Sequence, residues 1–340
     1  MSRRSQLILL AIGVGAFVLL VYQAGPAMLL HQIRDSGVVL VPVILVYALV
    51  YVFNSEAWRL VMHERPPRIS SPRAYAITVW AFALNYVTPM VSVGGEPFKI
   101  AAASRWLGPR GATASVLGER LLHMQGHLLF FLTGIVLALI HLPRTAIGVV
   151  PLMLVATLLL LAGAASLVPY RRGGALRLLG LLERIPLPHR WHQWLLLRRE
   201  GAAEIDAQLT TFYRDQPVRY LAALLLEYAA RCISVVEMLL VGWAIGVPID
   251  YWTAYLIVCF ASFAVNAMFI LPLGLGAREG GLYVIFALLG LPPQLGVVAS
   301  IFGRIRELVW IALGFIVGFL AVRPATLKAS PAPDTTTPSP

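Results

Sequence analysis

The chain has 340 residues, of which 59% are hydrophobic and 13% charged, with a formal net charge of +11 and a mean hydropathy of +0.79. Soluble domains carry about 25% charged residues, so a water-soluble fold is excluded and lipid must solvate much of the surface. The positive excess does not point to nucleic acid, because the arginines lie between apolar runs, as the positive-inside rule expects.

The first apolar run, residues 7–22, follows Arg3 and Arg4 and resembles a secretory signal. Further apolar runs follow, so it is expected to stay as an uncleaved first helix. Residues 38–53 form a second span, running on into Glu56, Trp58 and Arg59. Residues 73–89 are apolar but short and stop at Thr88-Pro89. The Gly94-Gly95-Glu96-Pro97 turn follows, then a short helical piece to Leu107. Residues 112–142 and 147–168 are two more spans, and 169–219 is a polar, strongly basic loop. Residues 220–247 form a span, 251–271 an apolar piece stopped by Pro272, and 282–291 another short piece. Between those pieces Gly274, Gly276, Gly280 and Gly281 surround Arg278-Glu279. Residues 295–322 are the last span, and 324–340, rich in Pro, Thr, Ser and Ala, read as a disordered tail. Cys232 and Cys259 sit in apolar helical stretches and are expected to be small buried hydrophobes.

The basic segments set the orientation. Arg3 and Arg4, the cluster Arg59 to Arg73, the loop 169–219 and the end near Arg323 all belong inside. Lys99, Arg105 and Arg110 belong there too, which requires 73–107 to dip into the membrane and return to the same face. The stretch 251–291 then dips in from the outer face. The expected fold is all-α: a polytopic membrane helical bundle with two re-entrant, Gly/Pro-interrupted hairpins. It has six full spans, or eight if each hairpin counts as one distorted crossing. Residues 1–323 form one integral membrane domain, in a bacterial inner (plasma) membrane, with both termini cytoplasmic.

Two stretches repeat. The order Asn85, Pro89, Gly94-Gly95, Glu96 matches Asn266, Pro272, Gly274, Gly276, Glu279. Downstream, Ala114-Ser-Val-Leu-Gly118 matches Ala299-Ser-Ile-Phe-Gly303. With one hairpin on each face, the halves 38–142 and 220–322 are expected to be inverted repeats whose broken helices meet near the midplane.

Charge inside a membrane costs about 2.5–3.5 kcal/mol per group on insertion scales. This chain retains Glu96, Glu119, Arg120, Glu227, Arg231, Glu237, Glu279, Arg304, Arg306 and Glu307 among apolar residues. They either pair as interhelical salt bridges or line a cavity for a phosphate-bearing headgroup, which the planar guanidinium fork suits. The half-helix after Pro97 adds free backbone N–H groups. Non-helical backbone at that depth needs protein or a wet cavity around it, and Glu96 and Glu279 are expected at the hairpin tips. Asn85, Thr88 and Asn266 are further candidates for substrate contact. Glu119, His123 and His127 recur every four residues on one helix face. That stripe suits a polar lining or a proton relay better than a metal, for no cysteine cluster or second carboxylate motif supports one. No Walker loop is present and no cofactor is expected. The stretch 189–199, basic with Trp191 and Trp194, reads as an interfacial segment on the inner leaflet or as a plain linker.

Asn85-x-x-Thr88-Pro89 followed by Gly94-Gly95-Glu96-Pro97 resembles the signature of the lysylphosphatidylglycerol synthase transmembrane-region family, also called flippase-like proteins. Leu271-Pro272-Leu-Gly-Leu-Gly276-Ala-Arg-Glu279-Gly resembles its second signature, and Ser300-x-x-x-Arg304-x-Arg306-Glu307-Leu resembles the hopanoid-associated branch. The resemblance covers residues 5–322. It implies a multi-span bundle related to one that moves aminoacylated phosphatidylglycerol between leaflets. It does not imply lipid aminoacylation, because nothing after Val322 resembles an aminoacyl transferase domain.

The expected function is translocation of a phosphate-bearing lipid headgroup, with a membrane phospholipid or other lipid as partner. Glu96 and Glu279 would gate or couple, and Arg120, Arg304 and Arg306 would hold phosphate. The rivals are a membrane-embedded enzyme using Glu119 and His123 as acid and base, and a non-catalytic scaffold for lipid-biosynthesis proteins. Non-enzymatic transport is favoured.

Overall fold

A computed structural model describes residues 37–62, 69–87, 94–141, 149–168, 173–184, 199–267 and 277–321. The expected first span at 7–22, the basic aromatic stretch up to residue 198, the centres of both glycine turns and the tail lie outside the described residues. Every regular element among the described residues is helical. The helices are α1 (Leu40–Val61), α2 (Ser71–Val87), α3 (Gly95–His141), α4 (Val149–Ser166), α5 (Ala175–Leu182), α6 (Arg199–Asp215), α7 (Pro217–Ala244), α8 (Tyr251–Ala267), α9 (Ala277–Leu288) and α10 (Pro293–Ala321).

Local sequence sets the breaks between these helices. α3 is two helices joined at Gly108, whose φ of 70° and ψ of 164° leave helical space. Glycine takes that conformation without a Cβ penalty, and Pro109 then opens the second helix with its φ already set. The parts are α3a (95–107) and α3b (109–141). Proline also opens α7. Asp250 caps α8, its Oδ1 accepting the Thr253 N–H at 2.8 Å. Those Thr253 hydrogen bonds hold the exposed Asp250 carboxyl below the ordinary aspartate range, so the cap is present at neutral pH and is lost only in acid.

The outward faces are apolar. Val41, Leu45, Leu49 and Val52 form an exposed stripe on α1, and Leu313, Ile316, Phe319 and Leu320 one on α10. Three- and four-residue spacing puts each set on one helix face, and an exterior of this kind is at home in lipid rather than in water. α1 and α3 are long and apolar enough to cross a membrane. α7 and α10, of 28 and 29 residues, have the length but carry charges that the bundle turns inward.

α1 and α7 form the central antiparallel pair. Leu40 and Val43 share a cluster with Met238 and Val241 at one end, and Ala57 and Val61 share one with Ala223 at the other. The remaining packing is mirrored across that pair. α2 lies on α1, α3 and α10, while α8 lies on α7, α9 and α3. Thus α1, α2, α3a and α3b correspond to α7, α8, α9 and α10. The order of neighbours is that expected of two inverted halves.

The α3b–α8 and α2–α10 contacts between the halves both close through glycine. A Cβ on Gly134 of α3b would strike Cys259 of α8, and one on Gly314 or Gly318 of α10 would strike Val79 or Trp80 of α2. Between helices in lipid, close backbone approach replaces the hydrophobic drive that water would supply. Outside the mirrored core, α6 packs on α3, α5 and α7. Its buried Asp206 accepts the N–H groups of Gly174, Ala175 and Leu176 at 2.9, 2.8 and 2.9 Å, so α6 caps the N-terminus of α5.

Gly134→Leu is expected to cost about 1–3 kcal/mol by overpacking and to lower the melting temperature of the detergent-purified protein. Adding Cys259→Ala should recover part of the loss. A Gly134→Leu variant as stable as the parent would contradict this interface.

Candidate functional site

Each half carries a short helix folded against the long helix that follows it. At the start of α3a, Gly95 lies so close to the Ala81 carbonyl that no side chain fits. Its N–H donates to Asn85 Oδ1 at 2.6 Å, so Asn85 fixes the start of α3a. From that anchor, Lys99 reaches Glu119 of α3b at 2.5 Å, and Glu96 faces Arg120 at 3.5 Å. The Lys99 ammonium also lies 4.1 Å from the centre of the Trp58 ring. In the second half Arg278 of α9 reaches Glu307 of α10 at 2.5 Å, and Glu279 faces Arg304 at 3.3 Å. Both short helices therefore present one acid and one base to a long helix that returns one base and one acid.

α7 adds a charge set to each clasp. Glu227, fully buried, holds Oε2 2.8 Å from His123 Nδ1. One helical turn on, Arg231 places Nη2 2.5 Å from His123 Nε2. Farther along, Glu237 accepts a hydrogen bond from Arg306 at 3.0 Å. The Arg306 guanidinium lies 3.5 Å above the Tyr47 ring of α1, and Tyr86 of α2 hydrogen-bonds Glu307. The first group thus holds Lys99, Arg120 and Arg231 with Glu96, Glu119 and Glu227. The second holds Arg278, Arg304 and Arg306 with Glu237, Glu279 and Glu307. Each balances three bases with three acids.

Both groups lie deep. Glu227 and Arg231 are about 15 and 21 Å from the start of α7, and Arg304 to Glu307 about 16 to 21 Å from the start of α10, at about 1.5 Å per residue. Tyr47 and Tyr51 of α1 stand between the groups, within electrostatic reach of both Arg231 and Arg306.

The two groups differ in openness. In the second, Arg304, Arg306 and Glu307 are buried, while the side chains of Arg278 and Glu279 are 24% and 29% exposed. Only Arg278 Nη1 there lacks a well-angled hydrogen bond, and it still lies 2.5 Å from Glu307. In the first, the buried Glu96 Oε2, Glu227 Oε1 and Arg231 Nε have no hydrogen-bond partner, nor does the Tyr51 hydroxyl between the groups. The side chain of Arg120 is 52% exposed and that of His123 25%. A buried polar atom without a partner costs about 1–3 kcal/mol, so these atoms have room for a further hydrogen-bond partner.

The expected residues divide accordingly. Asn85, Glu96, Glu119 and Arg120 gather around α3, while Glu279, Arg304, Arg306 and Glu307 gather around α10. Thr88 lies outside the described residues, as does the side chain of Asn266 at the end of α8. Glu96 and Glu279 sit in the first turns of α3a and α9, next to turns that lie outside the described residues, where a negative charge meets the positive end of the helix dipole. The Glu119–His123 acid–base pair is split, since Glu119 turns to Lys99 and His123 to Glu227. His127 packs its ring on His123 and Phe131. Among the described residues no three His, Cys, Asp or Glu side chains converge as a metal site. The sequence reading left Lys99, Arg278 and Tyr47 outside the site. Lys99 read as a marker of the inner face and Arg278 as a turn residue, and Tyr47 gave no signal in an apolar run.

Residues 6–314 match the family model described as Lysylphosphatidylglycerol synthase TM region. No curated protein and no solved structure matches the chain.

Breaking a buried pair by removing one partner costs about 3–5 kcal/mol. Lys99→Met is therefore expected to lower the melting temperature sharply. The exchanged pair Lys99→Glu with Glu119→Lys should recover part of the loss, and a fully neutral Lys99→Met would contradict the clasp.

Proposed function

Because the chain belongs to the lysylphosphatidylglycerol synthase transmembrane-region family, a membrane family tied to lipid, we propose that it moves a phosphate-bearing lipid headgroup between leaflets of a bacterial inner membrane. The termini are cytoplasmic in this reading. The observation that carries it is the open first group: a half-exposed Arg120 beside three buried polar atoms without partners. A headgroup phosphate would exchange its water for the Arg120 guanidinium and then for Arg231, each able to donate two hydrogen bonds to it. The Glu96 carboxylate releases Arg120 as the phosphate takes its place, so no cation is left alone in the apolar interior. The Tyr51 and Tyr47 hydroxyls continue the path towards Arg306 and Arg304, the corresponding cations of the other half. The acyl tails stay in lipid along the apolar outer stripes. Glu279 and Glu307 serve the second half as Glu96 and Glu119 serve the first, and Asn85 acts by holding the start of α3a rather than by touching the lipid.

The test is a proteoliposome assay with tail-labelled phosphatidylglycerol, whose outer-leaflet fraction is read by a membrane-impermeant quencher. Arg120→Gln, Glu96→Gln and Arg304→Ala are each expected to slow movement at least about tenfold, a barrier increase of about 1.4 kcal/mol. If the unaltered protein moves no label, or all three variants match it, the proposal fails. Chemical alteration of the recovered label would replace transport with catalysis.

A further inference from the structure

Among the described residues, three neutral side chains bury an oxygen that has no hydrogen-bond partner: the Tyr51 hydroxyl, Asn54 Oδ1 and the Thr78 hydroxyl. All three stand on α1 and α2. Arg59 reaches Ser71 Oγ at 2.5 Å, and the Tyr51 ring meets the Phe82 ring at 5.0 Å between centroids. The two helices therefore run antiparallel. Asn54 and Thr78 fall between those two contacts and lie at about the same depth, one turn from the Tyr51–Phe82 contact.

Their place in the bundle follows from helix spacing. Tyr47, Tyr51, Asn54 and Trp58 recur at intervals of four, three and four, so they share one face of α1. At one end of that face Trp58 lies under Lys99 of the first charge group, and at the other Tyr47 lies under Arg306 of the second. Tyr51 and Asn54 are the steps between. On α2, Thr78, Phe82 and Tyr86 share a face in the same way. Phe82 touches Tyr51 and Tyr86 bonds Glu307. A serine or threonine in a helix commonly bonds the carbonyl three or four residues back, as Ser55, Ser104 and Thr133 do. Thr78 does not. The Tyr51 ring is held between Phe82 and Trp310, so its hydroxyl is fixed in place.

A phosphate alone does not complete this set. The first charge group adds Glu96 Oε2, Glu227 Oε1 and Arg231 Nε to the atoms without partners. Asn54 Oδ1 and the two carboxylate oxygens only accept, Arg231 Nε only donates, and the Tyr51 and Thr78 hydroxyls do either. An ionised phosphodiester brings acceptors alone. It can meet Arg120 and Arg231, and it leaves three acceptors still in want of donors. Hydroxyl groups on the headgroup supply those donors and can accept from Tyr51 and Thr78 in return. The three side chains between the groups are uncharged, which suits hydroxyls rather than an ammonium.

We infer that Tyr51, Asn54 and Thr78 form a neutral subsite between the two charge groups that reads headgroup hydroxyls, so that the lipid moved is a phosphodiester carrying a polyol. The inference rests on the transport reading and adds the chemical class of the headgroup. The arginines hold the phosphate, and the α1–α2 subsite holds the part of the headgroup beyond it. A headgroup without hydrogen-bond donors leaves Asn54 Oδ1 and the carboxylate oxygens buried and unmet, and discrimination of this kind is strong because the cost falls on the site itself.

The experiment uses the full chain in proteoliposomes with three tail-labelled probes: phosphatidylglycerol, with two hydroxyls; phosphatidylcholine, with no donor; and phosphatidylethanolamine, with an ammonium. Phosphatidylglycerol is expected to move at least about tenfold faster than phosphatidylcholine, the scale of losing donors from a site built for them. Tyr51→Phe, Asn54→Leu and Thr78→Val keep shape and remove the polar atom. Each is expected to slow phosphatidylglycerol by at least about threefold and leave phosphatidylcholine unchanged. Because the atom removed has no partner in the protein, the melting temperature of Tyr51→Phe should stay level or rise. Equal movement of phosphatidylglycerol and phosphatidylcholine would overturn the hydroxyl requirement and leave the transport reading standing. Absence of movement for every probe would end both. A preference that survives all three variants would overturn the assignment to these residues, as would variants that slow all probes alike and melt earlier. Phosphatidylethanolamine moving faster than phosphatidylglycerol would overturn the polyol in favour of an ammonium.

Discussion

The structure depends on neutralising charge where no water can do it. Twelve charged side chains lie in the two deep groups. Unpaired, they would oppose insertion by on the order of 30–40 kcal/mol on insertion scales, against a net folding stability of about 5–15 kcal/mol. Pairing is therefore a condition of the fold. It also explains the shape of the chain. A short helix such as α3a cannot span the membrane, yet it stays at depth because Lys99 and Glu96 have their partners there, on α3b. α9 is held to α10 in the same way by Arg278 and Glu279. The glycine at the start of α3a allows the close backbone approach that brings these charges into register.

The mirrored neighbours give the two groups the same parts but not the same state. Around α10 the guanidinium groups of Arg304 and Arg306 are buried and paired. Around α3 one guanidinium is half exposed, and acceptors and donors are left over. Under the proposed transport reading, two halves of like architecture in different states would suit alternating exposure of a shared path. A fixed structural salt-bridge network has no need of that asymmetry, since leftover polar atoms only weaken it.

Much of the fold was legible because its signals are local. Thr88-Pro89 and Gly94-Gly95 interrupt an apolar run, and Pro272 with its glycines interrupts another, so two broken hairpins follow from chain chemistry alone. Gly108-Pro109, the joint of α3, falls in the gap between the short piece to Leu107 and the span expected from residue 112. The site was legible only in outline. Apolar surroundings single out Glu96, Glu119, Arg304 and Glu307, but they do not say which acid meets which base. Spacing along one helix suggested Glu119 with His123, whereas packing gave each a partner from elsewhere, because α3a brings Lys99 and α7 brings Glu227 to that face of α3b. Lys99 was masked by its closeness to Arg105 and Arg110, since a positive charge near a helix end counts equally well as a topology marker. Asp206 was invisible for a similar reason. Its partners are backbone N–H groups about thirty residues away, and no side-chain pattern announces them.

α7 joins the two groups mechanically. Glu227 and Arg231 face α3, and Glu237, about 15 Å farther along at 1.5 Å per residue, faces Arg306. The helix is continuous between them, so a shift at one end is carried to the other. α1 has the same character: it packs along α7 throughout and carries Tyr47 under Arg306. If the protein moves lipid as proposed, the α1–α7 pair is the element that both charge groups would bias, because Glu227 and Arg231 hold it to α3 while Glu237 holds it to α10.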